Sequence, residues 1–322
     1  MSASEPARAA RLPTEGEAGR ARLAITLGDP RGIGPEIVRK ALADPGVRDA
    51  VEPRVVGATG CELPVTDVIG VWHAGDSPAH AGRLAGLAIE RAVELARGGA
   101  VQGIVTAPID KAAFHAAGYD HPGHTEMLAA LTGAPVAMML ASERLRVVLA
   151  TTHLPLREVP DAVTAAAIAR AADVTRRYLR RWFGVAEPRI ALCALNPHAG
   201  DGGRFGREDD DVLAPAARAA GIEGPFPADT VFVRAMRGRF DAVIAPYHDV
   251  GMTAIKVASF GSAVNVTLGL PFPRTSPDHG TALDIAGQGI ADASSMVAAV
   301  LLCARIARVE GATQAGAAPR AG

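Results

Sequence analysis

RIALCALNPHAGDGGRFGREDDDVLAPAARAAG (189–221), followed by DAVIAPYHDVGMTAIK (241–256), decides the fold. An apolar run ends in a glycine-rich loop, a helical run follows, and a second apolar run returns. Strand, helix and strand in that order build a parallel pair joined by a crossover helix. The alternation recurs outward from this stretch. On the N-terminal side LAIT (23–26), PRVVGA (53–58), DVIGVW (67–72), GIVTAP (103–108), VAMMLAS (136–142) and LRVVLATT (145–152) read as strands, the last two spaced for an antiparallel pair. Helical periodicity predicts helices over 81–99, from Asp110, over 209–221 with an acidic first turn, and over 163–183 with arginines on the outer face. On the C-terminal side SAVNVTLG (262–269) is β-rich and 291–309 is helical. The fold class is therefore α/β with a mainly parallel sheet. No linker interrupts it, so the expectation is two interleaved lobes around a cleft. They would form one unit over 22–309, between disordered tails at 1–21 and 310–322.

Composition narrows the function classes. The 322 residues are 49% hydrophobic and 21% charged, with net charge −1, which argues against nucleic acid as a partner. No apolar run is long enough to span a bilayer, and the N-terminal stretch is not a secretory signal. Cys61, Cys193 and Cys303 are isolated and odd in number, so a disulfide framework is not expected and a reducing cytoplasm fits.

Three histidines follow three of the apolar runs: His153 in LATTHLP, His198 in ALNPHAG and His248 in APYHD. Such positions are where an α/β protein carries active-site groups. Neutral imidazoles with open positions left over suit a catalytic Zn²⁺ or a similar divalent ion. The plainer reading is three unrelated loop residues.

Other segments carry weaker signals. GDPRGIGPE (28–36) opens a helix and reads equally as an anion-binding loop or as a tight turn with Pro35 at the helix start. In GHTEM (123–127), Thr125 is a candidate cap, leaving His124 to face a cleft or water. In the 196–209 loop, Asp201 or Glu208 is placed to orient His198. Lys256, Asn265 and Arg274 are groups that hold a phosphate or carboxylate. Asp278 and His279 stand before an expected helix in TSPDHGTALDIAG (275–287), with a nucleotide contact left open.

TLGDPRGIGPE, VTAPIDK, GHTEMLA, ATTHLPL, LNPHAGDGG, GPFPADT, YHDVGMTAIK and VNVTLGLPFPRTSPDHGTALDIAGQGIAD together resemble the 4-hydroxythreonine-4-phosphate dehydrogenase family, from about Leu23 to about Val309. The resemblance implies a fold similar to isocitrate and isopropylmalate dehydrogenases rather than a Rossmann fold. It also implies a homodimer whose partner subunit completes each active site. It places the metal on His153, His198 and His248, with Asp229 and Asp249 in support. It places substrate contacts on His124, Thr125, Lys256, Asn265 and Arg274. The cofactors implied are NAD, with NADP as the alternative, and a divalent metal (Zn, Mg or Co). The metal lowers the pKa of the substrate's secondary hydroxyl, hydride passes to the nicotinamide, and the β-keto acid loses CO₂. The proton acceptor and the NAD contacts stay unassigned.

The implied substrate is 4-phosphohydroxy-L-threonine, oxidised to 3-amino-2-oxopropyl phosphate in vitamin B6 synthesis. Relatives acting on 4-phospho-D-threonate or 4-phospho-D-erythronate, or on dihydrodiol carboxylates, are the alternatives, as is a non-catalytic binding protein. Two departures from the family pattern stand out. The 36–107 region is short and lacks a helix after PRVVGA, and Val250 replaces the usual Gln.

Overall fold

The computed structural model describes residues 19–259 and 262–317, with side chains described as far as residue 311. The N-terminal half runs β1 (Ala21–Thr26), α1 (Gly34–Ala43), α2 (Pro45–Ala50), β2 (Val51–Thr59), β3 (Asp67–Val71), α3 (Pro78–Arg97), β4 (Gly103–Thr106), α4 (Lys111–Ala116), α5 (His124–Thr132), β5 (Ala137–Ala141) and β6 (Arg146–Leu149). There follow α6 (Val159–Ala162), α7 (Ala165–Phe183), β7 (Ile190–Cys193), α8 (Ala214–Ala220), β8 (Glu223–Phe226), α9 (Ala228–Met236), β9 (Ala242–Ala245), α10 (His248–Ser259), β10 (Val264–Leu268), β11 (Arg274–Pro277) and α11 (Ser294–Ala317).

All eleven strands join one mixed sheet in the order β3-β2-β1-β4-β11-β10-β5-β6-β9-β7-β8. Strands β3 to β11 pair in parallel, as do β6 to β8 on the far side. Between them β11–β10, β10–β5 and β5–β6 are antiparallel. The expected 136–142/145–152 pair is the last of these, Met139 facing Val148. Two parallel halves are thus stitched by an antiparallel centre. Strands β4, β7 and β9 are buried at every residue, which is why they read as unbroken apolar runs.

Local chemistry sets the helix ends. Ser77 caps α3 by accepting from His80 N–H, Asp110 caps α4 through Ala113 N–H, and Thr164 caps α7 through Ala167 N–H. Helix α7 ends at Gly184 in the left-handed region, whose N–H reaches the Leu179 carbonyl. Its inward face carries Ile168, Tyr178, Leu179 and Trp182 into the main core.

Several expectations need correction. The helix expected after Asp278–His279 does not form, and the chain there runs in turns until Ser294. The C-terminal tail does not start at residue 310. Helix α11 continues to Ala317, and the buried Glu310 carboxylate accepts from Trp182 Nε1 at 3.0 Å and pairs with Arg181. The N-terminal boundary also shifts, since Ala21 is already in β1 and Arg20 donates to the Val51 carbonyl. The 209–221 helix opens with a wider π-type turn over Asp209–Leu213. There the Asp209 carboxylate is buried and accepts from Leu195 and Asn196 N–H, so it braces the end of β7.

The short 36–107 region has a clear form. Strands β2 and β3 lie parallel and adjacent with residues 60–66 between them and no helix. Seven residues suffice because β3 starts opposite Val56, three residues before β2 ends. Val250, the second departure, packs against the apolar cluster around Val243, Met252 and Ile255.

Candidate active site

A cavity of about 240 Å³ opens at the antiparallel centre of the sheet. Its floor is Thr106 of β4, Asn265 and Thr267 of β10, and Arg274 and Ser276 of β11. Its walls include His124, Thr125 and Glu126 from the start of α5, Lys111 from α4, and His153 after β6. Ligand crevices of α/β sheets form where connectivity reverses, and here that is where the two parallel halves meet.

Arg274 dominates the chemistry. It is buried, and its guanidinium donates to Thr267 Oγ1 at 2.9 Å and Thr106 Oγ1 at 2.6 Å. Its Nε has no partner, and among the described residues no carboxylate pairs with it. Burial brings its pKa down to about 10, so it stays charged at neutral pH. A buried cation without a counter-charge is costly unless an anion arrives to pair with it.

His124 stands opposite in charge logic. Burial, reinforced by Arg274 and then Lys111, holds its imidazole well below the usual range, so the ring is neutral. Its Nε2 is enclosed and unpartnered, as are Asn265 Oδ1 and His279 Nε2 at the same cavity. Unsatisfied buried polar atoms converging on one space mark a polar ligand's place. Thr125 lies inside α5 with Gly123 before it, and no side-chain cap forms, so the capping role does not hold. Lys111 and Glu126, which spacing did not single out as site residues, complete the charged lining. The only signal for them was adjacency to better candidates.

The predicted metal histidines are brought together in part. The rings of His153 and His248 lie 5.6 Å apart, centroid to centroid. His248 Nδ1 is 2.7 Å from Asp249 Oδ1, which leaves Nε2 free to act as a ligand and fits Asp249 as its orienting carboxylate. Burial, then Lys111 and His248, lower the His153 pKa and favour the neutral, ligating form. This pair of imidazoles with a carboxylate behind one of them fits a divalent ion. His198 is exposed and its ring neighbour is Phe205, at 6.4 Å. Among the described residues no group of three or more His, Cys, Asp or Glu is arranged to hold a metal. His198 and Ala199 both sit in the left-handed region, at φ +53° and +55°, a strained conformation typical of functional loops.

Other expected contacts fall elsewhere. Glu208 accepts from Asn196 and Asp201 pairs with Arg204, so neither orients His198. Lys256 lies 3.3 Å from the Asp278 carboxylate and does not line the cavity. Asp229 is exposed in the first turn of α9, without a hydrogen bond or ion pair among the described residues. The glycine-rich 28–36 loop is a brace. Asp29 N–H donates to the Pro108 carbonyl and Ile33 N–H to the Thr281 carbonyl, tying it to both sides of the cavity mouth. A Cβ at Gly28, whose φ is +69°, would lie 2.2 Å from the Pro108 oxygen.

The sequence and the fold have close relatives. A 4-hydroxythreonine-4-phosphate dehydrogenase of Caulobacter vibrioides is 45% identical over 329 residues, covering 90% of this chain and 98% of its own. One from Xanthomonas axonopodis pv. citri is 44% identical, covering 88% and 98%. The crystal structure of 4-hydroxythreonine-4-phosphate dehydrogenase from Klebsiella pneumoniae superposes with TM-score 0.80 at 41% identity, covering 89% and 99%. A terephthalate 1,2-cis-dihydrodiol dehydrogenase from Burkholderia xenovorans LB400 is more distant, with TM-score 0.62 and 28% identity over 91% of this chain and 98% of its own. The family model described as pyridoxal phosphate biosynthetic protein PdxA matches residues 35–303, and the chain belongs to that family.

Proposed function

We propose that this protein oxidises 4-phosphohydroxy-L-threonine with NAD and a divalent metal, and that the product loses CO₂ to give 3-amino-2-oxopropyl phosphate for pyridoxal phosphate synthesis. The observation that carries this reading is Arg274, a buried guanidinium with no carboxylate partner, facing a cavity lined by unpartnered polar atoms. It suits an anionic group, and the names of the more similar relatives make that group a phosphate.

The chain's own residues divide the work. Arg274 holds the phosphate, with neutral His124, Thr125 and Asn265 adding hydrogen bonds around it. Thr106 and Thr267 fix the guanidinium, so the anion meets a preset geometry. Lys256 reaches the same substrate by leaving Asp278, and burial that weakens the Asp278 carboxylate favours that exchange. His153 and His248 would hold the metal, with Asp249 setting the ring of His248 and Asp229 standing in support. When bound, the metal acidifies the secondary hydroxyl and the nicotinamide takes the hydride.

The third ligand, His198, comes from a second copy of the chain, so the working unit is a homodimer with shared sites. Two observations support this. His198 does not join the other two within one chain. Exposed apolar side chains also cluster beside the site segments: Leu154 and Leu156 after His153, Phe205 after His198 and Val257 after Lys256. We also place the fold with isocitrate and isopropylmalate dehydrogenases, because an antiparallel centre replaces the 3-2-1-4-5-6 parallel order of a Rossmann sheet.

The test is NADH formation by metal-loaded protein offered 4-phosphohydroxy-L-threonine and 4-phospho-D-threonate side by side. Preferential turnover of the amino acid supports the proposal. Preference for the threonate moves the protein to sugar-acid oxidation, and consumption without NADH removes the dehydrogenase reading.

A further inference from the structure

The loop that carries His198 is gripped at its feet by side chains that the proposed chemistry does not use. Asp209 is buried, and its two oxygens accept from consecutive backbone N–H groups. Oδ1 takes Leu195 at 2.8 Å and Oδ2 takes Asn196 at 3.0 Å. Asn196 is held a second time, its Nδ2 donating to Glu208 Oε2 at 2.8 Å. The return limb of the loop closes on the same point. A Cβ at Gly206 would lie 2.4 Å from Glu208 Oε2 and 2.8 Å from Asn196 Nδ2. The grip falls on the backbone just ahead of His198 and not on its ring.

Between those feet the chain is wound against its preference. Residues 198–203 run consecutively in the left-handed region, and His198, Ala199 and Asp201 among them carry a Cβ, at φ +53°, +55° and +46°. That region disfavours a Cβ, so the surroundings must hold these residues there. Local turns contribute: Ala199 N–H donates to the Asn196 carbonyl at 3.2 Å and Phe205 N–H to the Gly200 carbonyl at 3.1 Å. Gly200 is buried over Asp209, and a Cβ on it would lie 3.8 Å from Asp209 Oδ2. His198 itself is exposed. A buried carboxylate is costly unless it is hydrogen-bonded, and here its bonds order the exposed, strained turn that carries His198.

We propose that Asp209 is a positioning residue for the metal. Through the backbone of Leu195 and Asn196 it holds the His198 loop in the left-handed conformation that presents the imidazole as a ligand. This deepens the function proposed above and rests on its assignment of His198 to the metal. The competing role is a brace for the end of β7 and nothing more.

The two roles separate in metal binding measured without turnover. Metal-free full-length protein is titrated with Co²⁺ and followed by visible absorption, with thermal melting as the control on folding. Asp209→Asn keeps the size but sets an amide N–H against one of the two backbone donors. It should weaken Co²⁺ binding about ten- to hundredfold and alter the absorption bands of the bound ion. In a His198→Ala background the same substitution should weaken binding no further, because Asp209 acts through that imidazole. Asn196→Ala, which breaks the second grip outside the buried carboxylate, should cost about tenfold and carries the test if Asp209→Asn does not fold. A lower melting temperature with wild-type Co²⁺ affinity and spectrum overturns the proposal and leaves the brace. Wild-type Co²⁺ binding by His198→Ala overturns the metal assignment itself. Loss of binding in His198→Ala, with none in Asp209→Asn or Asn196→Ala, overturns this inference alone.

Discussion

Arg274 of β11 donates to Thr106 Oγ1 of β4 at 2.6 Å, across the parallel contact between the antiparallel centre and the N-terminal half of the sheet. That bond ties the guanidinium to the frame. It also carries a stability cost, because the guanidinium is buried with hydroxyl partners alone. Replacing an unpaired buried charge with an apolar side chain of similar size is often neutral or stabilising. Arg274→Met is therefore expected to melt at or above the wild-type temperature. Its KM for a phosphorylated substrate should rise by about a hundredfold, with kcat changed less. Steady-state kinetics with a melting curve checks both, and an unchanged KM would place the phosphate elsewhere.

A metal site shared between two copies, as proposed above, makes a prediction that no single-chain site makes. His153→Ala and His198→Ala should each abolish activity and metal binding with little change in melting temperature. When the two inactive variants are unfolded together and refolded, a mixed dimer holds one site with both substitutions and one site with neither. Random pairing makes half the dimers mixed and one of their two sites intact, so activity should return to about a quarter of wild type. Recovery of nothing, with mixed dimers demonstrated, would confine the three histidines to one chain.

Neutral His124 sets an acid limit. Its folded pKa lies below the unfolded value of 6.5. The unfolded chain therefore takes up the proton first as pH falls, and stability present above 6.5 is lost below it. His153 shifts in the same direction and adds to the slope. Melting temperature followed from pH 8 to pH 5 should fall below about 6.5, less steeply in His124→Gln. Parallel curves for wild type and variant would mean that the ring takes up its proton as readily in the folded state as in the unfolded one.

The frame of this protein is more legible in its sequence than the site. Strands β4, β7 and β9 announce themselves because burial on both faces demands unbroken apolar runs. Strand β11 does not. RTSP is polar, and it is a strand because β4 and β10 pair with it from either side. Helix α10 is hidden for a related reason: it opens on His248 and Asp249, which read as a site loop. The family resemblance names Arg274, His124 and Asn265, and the structure sets all three on one cavity. Spacing carries no distance, so it could not reveal that Lys256 turns to Asp278 or that His198 stands apart from His153 and His248. Lys111 and Glu126 escaped because a lysine after a helix cap and a glutamate in a first turn are ordinary on any surface.

The shortened edge of the sheet depends on one carboxylate. Asp67, the first residue of β3, is buried and accepts from Arg54 Nε at 2.5 Å and Arg91 Nε at 3.0 Å. Arg54 lies on β2 and Arg91 on α3, so Asp67 joins three elements at the edge of the sheet. These partners hold its pKa low despite burial. The pairing is therefore present above the unfolded carboxylate value of 3.8 and is lost on acidification below it. Both arginines are more than a third exposed, which dilutes the interaction. Asp67→Asn should then cost about 1–3 kcal/mol in a denaturant titration at neutral pH. The cavity begins at β4, with β1 and β2 between it and β3, so kcat and KM should stay near wild type below the unfolding midpoint. A matching loss of kcat/KM at full folding would show that the short edge shapes the active site as well as the fold.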